Sequence, residues 1–165
     1  VEQIIASPNG WNEKLAERYN MWRELFDREP PYFIRDAVVP PISTWAKRGA
    51  GDSTAVVVGD VLPGVAGCPG VITGKACVIL DPADPRDLGP GDILIAPITD
   101  PAWTPLFLAA AGVVVDVGAH MSHAAIVCRE YGLPAVTGTA FATKSIKTGM
   151  RLRVDGDNGI VTILD

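Results

Sequence analysis

Residues 118–134 read GAHMSHAAIVCREYGLP and carry the start and stop signals of one short helix. Ser122 is a favourable N-cap, because its hydroxyl can accept one of the unpaired backbone N–H groups of the first turn. Gly132 stands where a left-handed residue ends a helix, and Pro134 prevents its continuation. The pattern predicts a buried strand at 113–115 and then a helix over 123–131, with His123 at the first helical position.

That position gives His123 an electropositive environment. The unpaired N–H groups and the positive end of the helix dipole favour an anion there. Gly118 and Ala119 before it, and Ala124 and Ala125 after it, leave space in front of the imidazole. A neutral imidazole so placed suits nucleophilic chemistry on a phosphoryl group. The residues alone leave a core histidine, a metal ligand and a general acid or base as alternatives.

Length and composition limit the class of protein. The chain has 165 residues, of which 48% are hydrophobic, and a net charge of −5. These values predict one domain with an attachment. Without a basic stripe, a nucleic-acid partner is not expected. The longest apolar run, 106–115, is shorter than the about 20 residues that span a bilayer, and no signal peptide is recognisable, so no membrane partner is expected. The chain opens on Val1 rather than Met, which is compatible with a fragment of a longer protein.

The three cysteines are scattered through apolar segments, at Cys68, Cys77 and Cys128. They match neither a disulfide framework nor the paired spacing of a zinc site. A reducing cytoplasm is therefore the predicted location. Cys128 falls in the middle of the predicted helix, where burial makes a thiol a poor nucleophile.

Residues 1–53 differ from the rest of the chain and are predicted to form a helical linker arm. Large apolar side chains recur about every fourth position, with charged residues between them: Trp11, Leu15, Tyr19, Trp22 and Phe26. This spacing predicts an amphipathic helix that ends before the prolines at 30 and 31, followed by an extended segment. We expect the aromatic stripe to pack on this domain's own core or on a neighbour.

From residue 54 onward, short β-type runs alternate with Gly, Pro and Asp. Candidate strands lie at 55–58, 73–80, 93–96, 112–115, 135–137, 151–154 and 160–164. A helix is predicted at 105–111 in addition to the one at 123–131. The pattern predicts an α/β domain over 54–165, with much of its sheet antiparallel or barrel-like. Turn residues at 155–159 predict a hairpin between the last two strands.

A metal site is one alternative for the histidine pair. His120 and His123 form an H-x-x-H motif, but Asp116 is the only nearby carboxylate and no third ligand has a suitable spacing. We therefore expect no metal, and expect His120 to be a loop residue that lines the pocket or is exposed.

A phosphate-binding loop is a second alternative. The segment 64–70 is rich in glycine, but Lys75 is not followed by Ser or Thr, and no helix is predicted behind it. A tight connection before the strand at 73–80 is the better interpretation. Arg129 lies beyond the turn that carries His123 and points partly away from it. Glu130 is expected on the solvated edge of the helix.

Residues 118–136 resemble the phosphohistidine signature of the mobile, swivelling domain of phosphoenolpyruvate-utilising enzymes. This group includes phosphoenolpyruvate synthase, pyruvate phosphate dikinase, rifampin phosphotransferase, phenylphosphate synthase and glucan water dikinase. Similar segments occur in the same order at 67–76, 91–106 and 155–159, so the resemblance covers roughly 60–165. Cys68, Ala119 and Cys128 replace other small residues of the family. Met121 stands where plant dikinases have a phosphorylatable Thr, so that type of regulation is not expected.

The resemblance implies a swivelling β/β/α phosphohistidine domain in which His123 is the phosphoryl acceptor. It makes Ser122 the capping neighbour at the phosphate site, with Gly118, Thr99 and Arg129 in support. In the family the phosphoryl group comes from ATP on a separate ATP-grasp domain, or from phosphoenolpyruvate, and passes to an acceptor at another site.

Mg²⁺ and ATP, or phosphoenolpyruvate, are therefore expected on partner domains, and no cofactor is expected on this domain itself. The expected partners are an ATP-grasp nucleotide-binding domain or subunit and an acceptor-binding domain. The alternative is a degenerate swivelling or interaction module in which His123 is not phosphorylated.

Overall fold

The computed structural model describes residues 8–30, 38–47 and 56–165. The chain divides into two compact units, Val1–Asp52 and Ser53–Asp165. Residues 1–7, 31–37 and 48–55, which include most of the predicted extended segment, lie outside the described residues. Nowhere in the described ranges is a helix both long and apolar enough to cross a membrane.

The first unit contains helix α1, Asn12–Phe26, which follows a 3₁₀ turn at Pro8–Trp11. The Tyr19 and Trp22 ring centroids are 5.8 Å apart, and those of Trp22 and Phe26 are 5.5 Å apart. All three side chains are more than half exposed, and α1 buries none of its residues. The expectation that this stripe packs on the domain's own core or on a neighbour stays a prediction. Strands β1 (Arg28–Glu29) and β2 (Ala46–Lys47) pair antiparallel.

Within residues 56–165, eight strands form one mixed sheet. They are β3 (Val61–Pro63), β4 (Val65–Cys68), β5 (Val71–Val78), β6 (Ile93–Ala96), β7 (Gly112–Val115), β8 (Ala135–Thr137), β9 (Arg151–Asp155) and β10 (Ile160–Ile163). Their order across the sheet is β3-β10-β9-β5-β6-β7-β8-β4. The pairs among β5, β6, β7 and β8 are parallel, and the other pairs are antiparallel. Four of the seven strand pairs are thus antiparallel, as expected for a sheet with much antiparallel pairing, while the centre of the sheet is parallel.

The strands predicted at 93–96, 112–115 and 135–137 are confirmed with those limits. The prediction at 55–58 is wrong in its described part. Val57 N–H donates to the Asp60 carboxylate at 2.8 Å, and the chain turns at Gly59 with φ +93°. The backbone donor that a ladder would use is thus occupied by a turn, and the strand begins only at Val61.

The glycine-rich segment 64–70 is not the tight connection that was expected, because it contains β4, which pairs with β8. Its glycines mark a close approach of the two backbones. A Cβ on Gly67 would lie 3.0 Å from Cγ2 of Thr137 and 3.1 Å from the carbonyl oxygen of Ala135. Glycine therefore serves here as a strand residue at a crowded edge.

Alternate residues of β6 enter two separate hydrophobic clusters, as the period of a strand requires. Leu94 packs in a cluster with Phe107 of helix α2 (Thr104–Ala109) and Ala124 of helix α3 (His123–Tyr131). Ile93 packs in a cluster with Leu152 of β9 and Val161 of β10, together with Ala142 of the short helix α4 (Ala142–Ser145). One face of the parallel strands is thus covered by α2 and α3, and the other by residues of β9, β10 and α4.

Candidate active site

Helix α3 begins and ends where its local signals predict. Ser122 has extended backbone angles, and its Oγ accepts from the backbone N–H of Ala125 at 3.5 Å. Gly132 adopts φ +68°, and the N–H of Leu133 returns to the carbonyl of Cys128 at 2.9 Å. The helix spans His123–Tyr131, so the predicted helix is confirmed and His123 is its first residue.

Two residues from other elements restrain the half-buried imidazole of His123. Oγ1 of Thr99, in the loop after β6, lies 3.1 Å from Nδ1. The Phe107 ring of α2 meets the imidazole edge-on, with centroids 6.0 Å apart and planes at 80°. When Nδ1 carries the proton it donates to Thr99 Oγ1, and the lone pair of Nε2 is left for nucleophilic attack.

Gly118 occupies a crowded position in the loop between β7 and α3. A Cβ there would lie 2.9 Å from Cβ of Thr137 and 3.0 Å from Oγ of Ser122. A residue without a side chain is therefore needed where this loop passes the end of β8. Thr137 was not singled out from the sequence. The available signal was a hydroxyl residue at the end of a buried strand, next to a glycine.

Arg129 does not contact the imidazole. Its Nη1 donates to the backbone carbonyl of His120 at 2.6 Å, and both side chains are exposed. Arg129 thus holds the loop that leads to the helix start. Glu130 is exposed, as expected for the solvated edge of the helix.

The carboxylate of Asp116, directly after β7, accepts hydrogen bonds from residues in and just before helix α4. Its Oδ1 accepts from the backbone N–H of Thr143 at 3.1 Å and from Oγ1 of Thr139 at 3.4 Å, and Oδ2 accepts from Oγ1 of Thr143. Burial raises the pKa of this carboxyl, and these hydrogen bonds oppose the rise. In the described part of the chain, no group of three or more His, Cys, Asp or Glu residues is placed to hold a metal ion.

The three cysteines are buried free thiols. Burial raises the pKa of the Cys128 thiol to about 12. Cys68 Sγ donates to the carbonyl of Cys128 at 3.5 Å, and burial also raises its pKa. A thiol that stays protonated is a poor nucleophile, so the sequence-based interpretation of Cys128 agrees with its environment.

Comparison with known proteins relates residues 88–159 to a family. Residues 88–159 match the family model of the PEP-utilising enzyme, mobile domain. A rifampicin phosphotransferase of Streptomyces sviceus is 53% identical over 95 residues, which are 58% of this chain and 11% of that protein. A phosphoenolpyruvate synthase of Aeropyrum pernix is 38% identical over 148 residues, which are 85% of this chain and 18% of that protein. The chain thus spans less than a fifth of the length of either relative.

The aconitase X of Thermococcus kodakaraensis shares the fold alone. It has a TM-score of 0.51 at 24% identity, over 65% of this chain and 100% of that chain. The family match identifies residues 88–159 as the mobile domain of PEP-utilising enzymes, and the chain is similar in sequence to a phosphotransferase and a phosphoenolpyruvate synthase. The resemblance drawn from residues 118–136 is thereby confirmed.

Proposed function

We propose that this chain is the phosphoryl-carrier domain of a phosphotransferase of the phosphoenolpyruvate synthase or dikinase type. His123 accepts a phosphoryl group and passes it to an acceptor at another site. The observation that supports this best is the 3.1 Å contact between Thr99 Oγ1 and Nδ1 of His123, at the first residue of a capped helix. It leaves Nε2 as the attacking nitrogen.

In the transfer, the lone pair of Nε2 attacks phosphorus, a P–N bond forms and the P–O bond to the donor breaks. The acceptor oxygen then attacks the same phosphorus and the P–N bond breaks, which restores the imidazole. The N–H groups of the first turn of α3 stabilise the negative charge on the phosphoryl oxygens. Ser122 fixes that helix start, and Phe107 and Thr99 hold the ring plane. Gly118 keeps the loop clear of the hydroxyl of Ser122.

The remaining parts of the mechanism belong to other domains. The similar phosphotransferases are longer than this chain, since it spans 11% and 18% of the two described above. An ATP-grasp domain with Mg²⁺-ATP, or a phosphoenolpyruvate site, would supply the phosphoryl group, and an acceptor-binding domain would receive it. Residues 1–53 would tether a swivelling β/β/α domain over 54–165, and a reducing cytoplasm suits its three free thiols.

The test is phosphorylation of the longer protein that contains this chain, or of this chain with its nucleotide-binding partner. Intact-mass analysis after incubation with Mg²⁺-ATP, and separately with phosphoenolpyruvate, should show an acid-labile gain of one phosphoryl group. His123→Ala should abolish the gain, and His120→Ala should retain it. No gain with an active partner, or a gain that survives in His123→Ala, would refute the carrier function and favour an interaction module.

A further inference from the structure

Thr137 carries a hydroxyl without a hydrogen-bond partner in the described part of the chain. The residue is fully buried at the end of β8, and its Oγ1 contacts neither a donor nor an acceptor within bonding geometry. A buried polar atom of this kind costs free energy, and such atoms are rare in folded proteins. The Thr137 hydroxyl is therefore a candidate for a hydrogen bond that forms only in another state of the protein.

The surroundings of Thr137 connect it to the active site. A Cβ on Gly118 would lie 3.0 Å from Oγ of Ser122 and 3.4 Å from Oγ1 of Thr137, so both hydroxyl oxygens lie beside the same glycine. The side-chain hydroxyl of Ser122 makes only a long hydrogen bond. Its Oγ is 3.5 Å from the Ala125 N–H, beyond the usual 2.7–3.2 Å for such a bond. Ser122 immediately precedes His123.

We propose that Thr137 is a positioning residue for the phosphorylated form of His123, an inference that rests on the proposed carrier function. In that form the Ser122 hydroxyl donates its proton to a phosphoryl oxygen. Ser122 Oγ accepts from the Thr137 hydroxyl, while its second lone pair continues to cap α3. Thr137 thus gains the partner that it lacks when His123 is unphosphorylated. The step exchanges hydrogen bonds only, and no covalent bond to Thr137 forms.

A purely structural role makes a different prediction. The methyl group of Thr137 packs beside Gly67, where a Cβ would lie 3.0 Å from Cγ2. Thr137→Val keeps the shape of the side chain and removes only the hydroxyl. If shape alone mattered, the substitution would leave the lifetime of the phosphohistidine unchanged.

The experiment uses this chain with His120→Ala, so that His123 is the only histidine, and phosphoramidate as a small phosphoryl donor that needs no partner domain. After removal of the donor, loss of the phosphoryl group is followed by intact mass at neutral pH. Tm of the unphosphorylated protein is measured in parallel. We expect Thr137→Val to shorten the phosphohistidine lifetime about 2- to 12-fold, the range of one lost hydrogen bond, without lowering Tm.

Two variants serve as controls. Thr137→Ser retains the hydroxyl and should keep the wild-type lifetime even if the lost methyl group lowers Tm. Thr139→Val removes a hydroxyl that already donates to the Val115 carbonyl at 3.1 Å, so it should lower Tm and leave the lifetime within about twofold.

If the phosphohistidine has the same lifetime in the wild type and in Thr137→Val, the proposed role of Thr137 is wrong. The carrier function would still stand in that case, because His123 was labelled in both proteins. A Tm loss in Thr137→Val as large as in Thr139→Val would also overturn the role of Thr137, because the hydroxyl would then be paired before phosphorylation. Absence of any labelling at His123 would contradict both proposals.

Discussion

Oγ1 of Thr99 lies 3.1 Å from Nδ1 of His123, although the two residues are 24 positions apart in the chain. The contact exists because β6 and β7 are parallel neighbours, so the loops that follow them leave the same edge of the sheet. Thr99 is in the first of these loops, and His123 begins the helix after the second. The topology of the sheet therefore brings Thr99 beside Nδ1 of His123.

Thr99→Val should slow phosphorylation of His123 without unfolding the protein. Valine keeps the shape of threonine but removes the oxygen that holds Nδ1. A typical hydrogen bond contributes about 0.5–1.5 kcal/mol, so the rate should fall about 2- to 12-fold. The measurement is the initial rate of labelling by phosphoramidate, with Thr99→Ser as the control that keeps the hydroxyl. Identical rates for all three proteins would show that the contact does not orient the ring.

Local signals were enough to predict helix α3, because its cap, its left-handed terminus and the proline that follows all act within a few residues. The same reasoning could not predict the Thr99 contact, which depends on strand order. It also missed β4, since glycine suggests a turn unless the crowding by Thr137 and Ala135 is known. Helix α4 was missed for a similar reason. It has four residues and depends on Asp116, which is 27 positions from Thr143.

Gly118→Ala should destabilise the fold. The new Cβ would lie 2.9 Å from Cβ of Thr137 and 3.0 Å from Oγ of Ser122, which forces the loop or β8 to shift. Overpacking of this kind costs about 1–3 kcal/mol, measurable as the free energy of unfolding in urea.

Gly89→Ala is the matched control for Gly118→Ala. A Cβ on Gly89 would meet its nearest atom, an Asp92 carboxylate oxygen, at 3.6 Å, which is ordinary contact. Its free energy of unfolding should change by no more than about 0.5 kcal/mol. Equal stability of the Gly118 and Gly89 variants would show that the loop relaxes without cost.

Asp116 and Asp155 should contribute opposite pH dependences to stability. Burial raises the pKa of Asp116 above its usual 3.8, so the folded protein binds that proton more tightly than the unfolded chain does. The contribution of Asp116 to the stability of the fold is therefore fully present below pH 3.8 and is lost as pH rises through the folded-state pKa. Hydrogen bonds from Asn158 lower the pKa of Asp155, whose contribution is present above 3.8 and is lost as pH falls through the folded-state pKa.

Urea unfolding between pH 3 and 7 measures both effects when the wild type is compared with Asp116→Asn and Asp155→Asn. The free energy of unfolding of Asp116→Asn minus that of the wild type should increase with pH. The same difference for Asp155→Asn should decrease with pH. Slopes of the same sign for the two variants would contradict the assigned environments.

Cys128 should resist alkylation in the folded protein. With a pKa of about 12, only about one thiol in 10⁴ is ionised at pH 8, and the side chain is fully buried. Iodoacetamide at pH 8, followed by peptide mass analysis, should leave Cys128 unmodified in native buffer and modify it completely in urea. Rapid modification of Cys128 with an unchanged circular dichroism spectrum would disprove this protection.

Ser122 and Thr137 should act as one unit in the phosphorylated protein. Ser122→Ala removes the hydroxyl that would link Thr137 to the phosphoryl group, and it weakens the cap of α3 by about 0.5–2 kcal/mol. Once Ser122 Oγ is gone, the Thr137 hydroxyl has no route to the phosphoryl group. The phosphohistidine lifetime of the double variant Ser122→Ala/Thr137→Val should therefore equal that of Ser122→Ala alone. Multiplicative losses, measured as a double-mutant cycle of lifetimes, would mean that the two hydroxyls act independently.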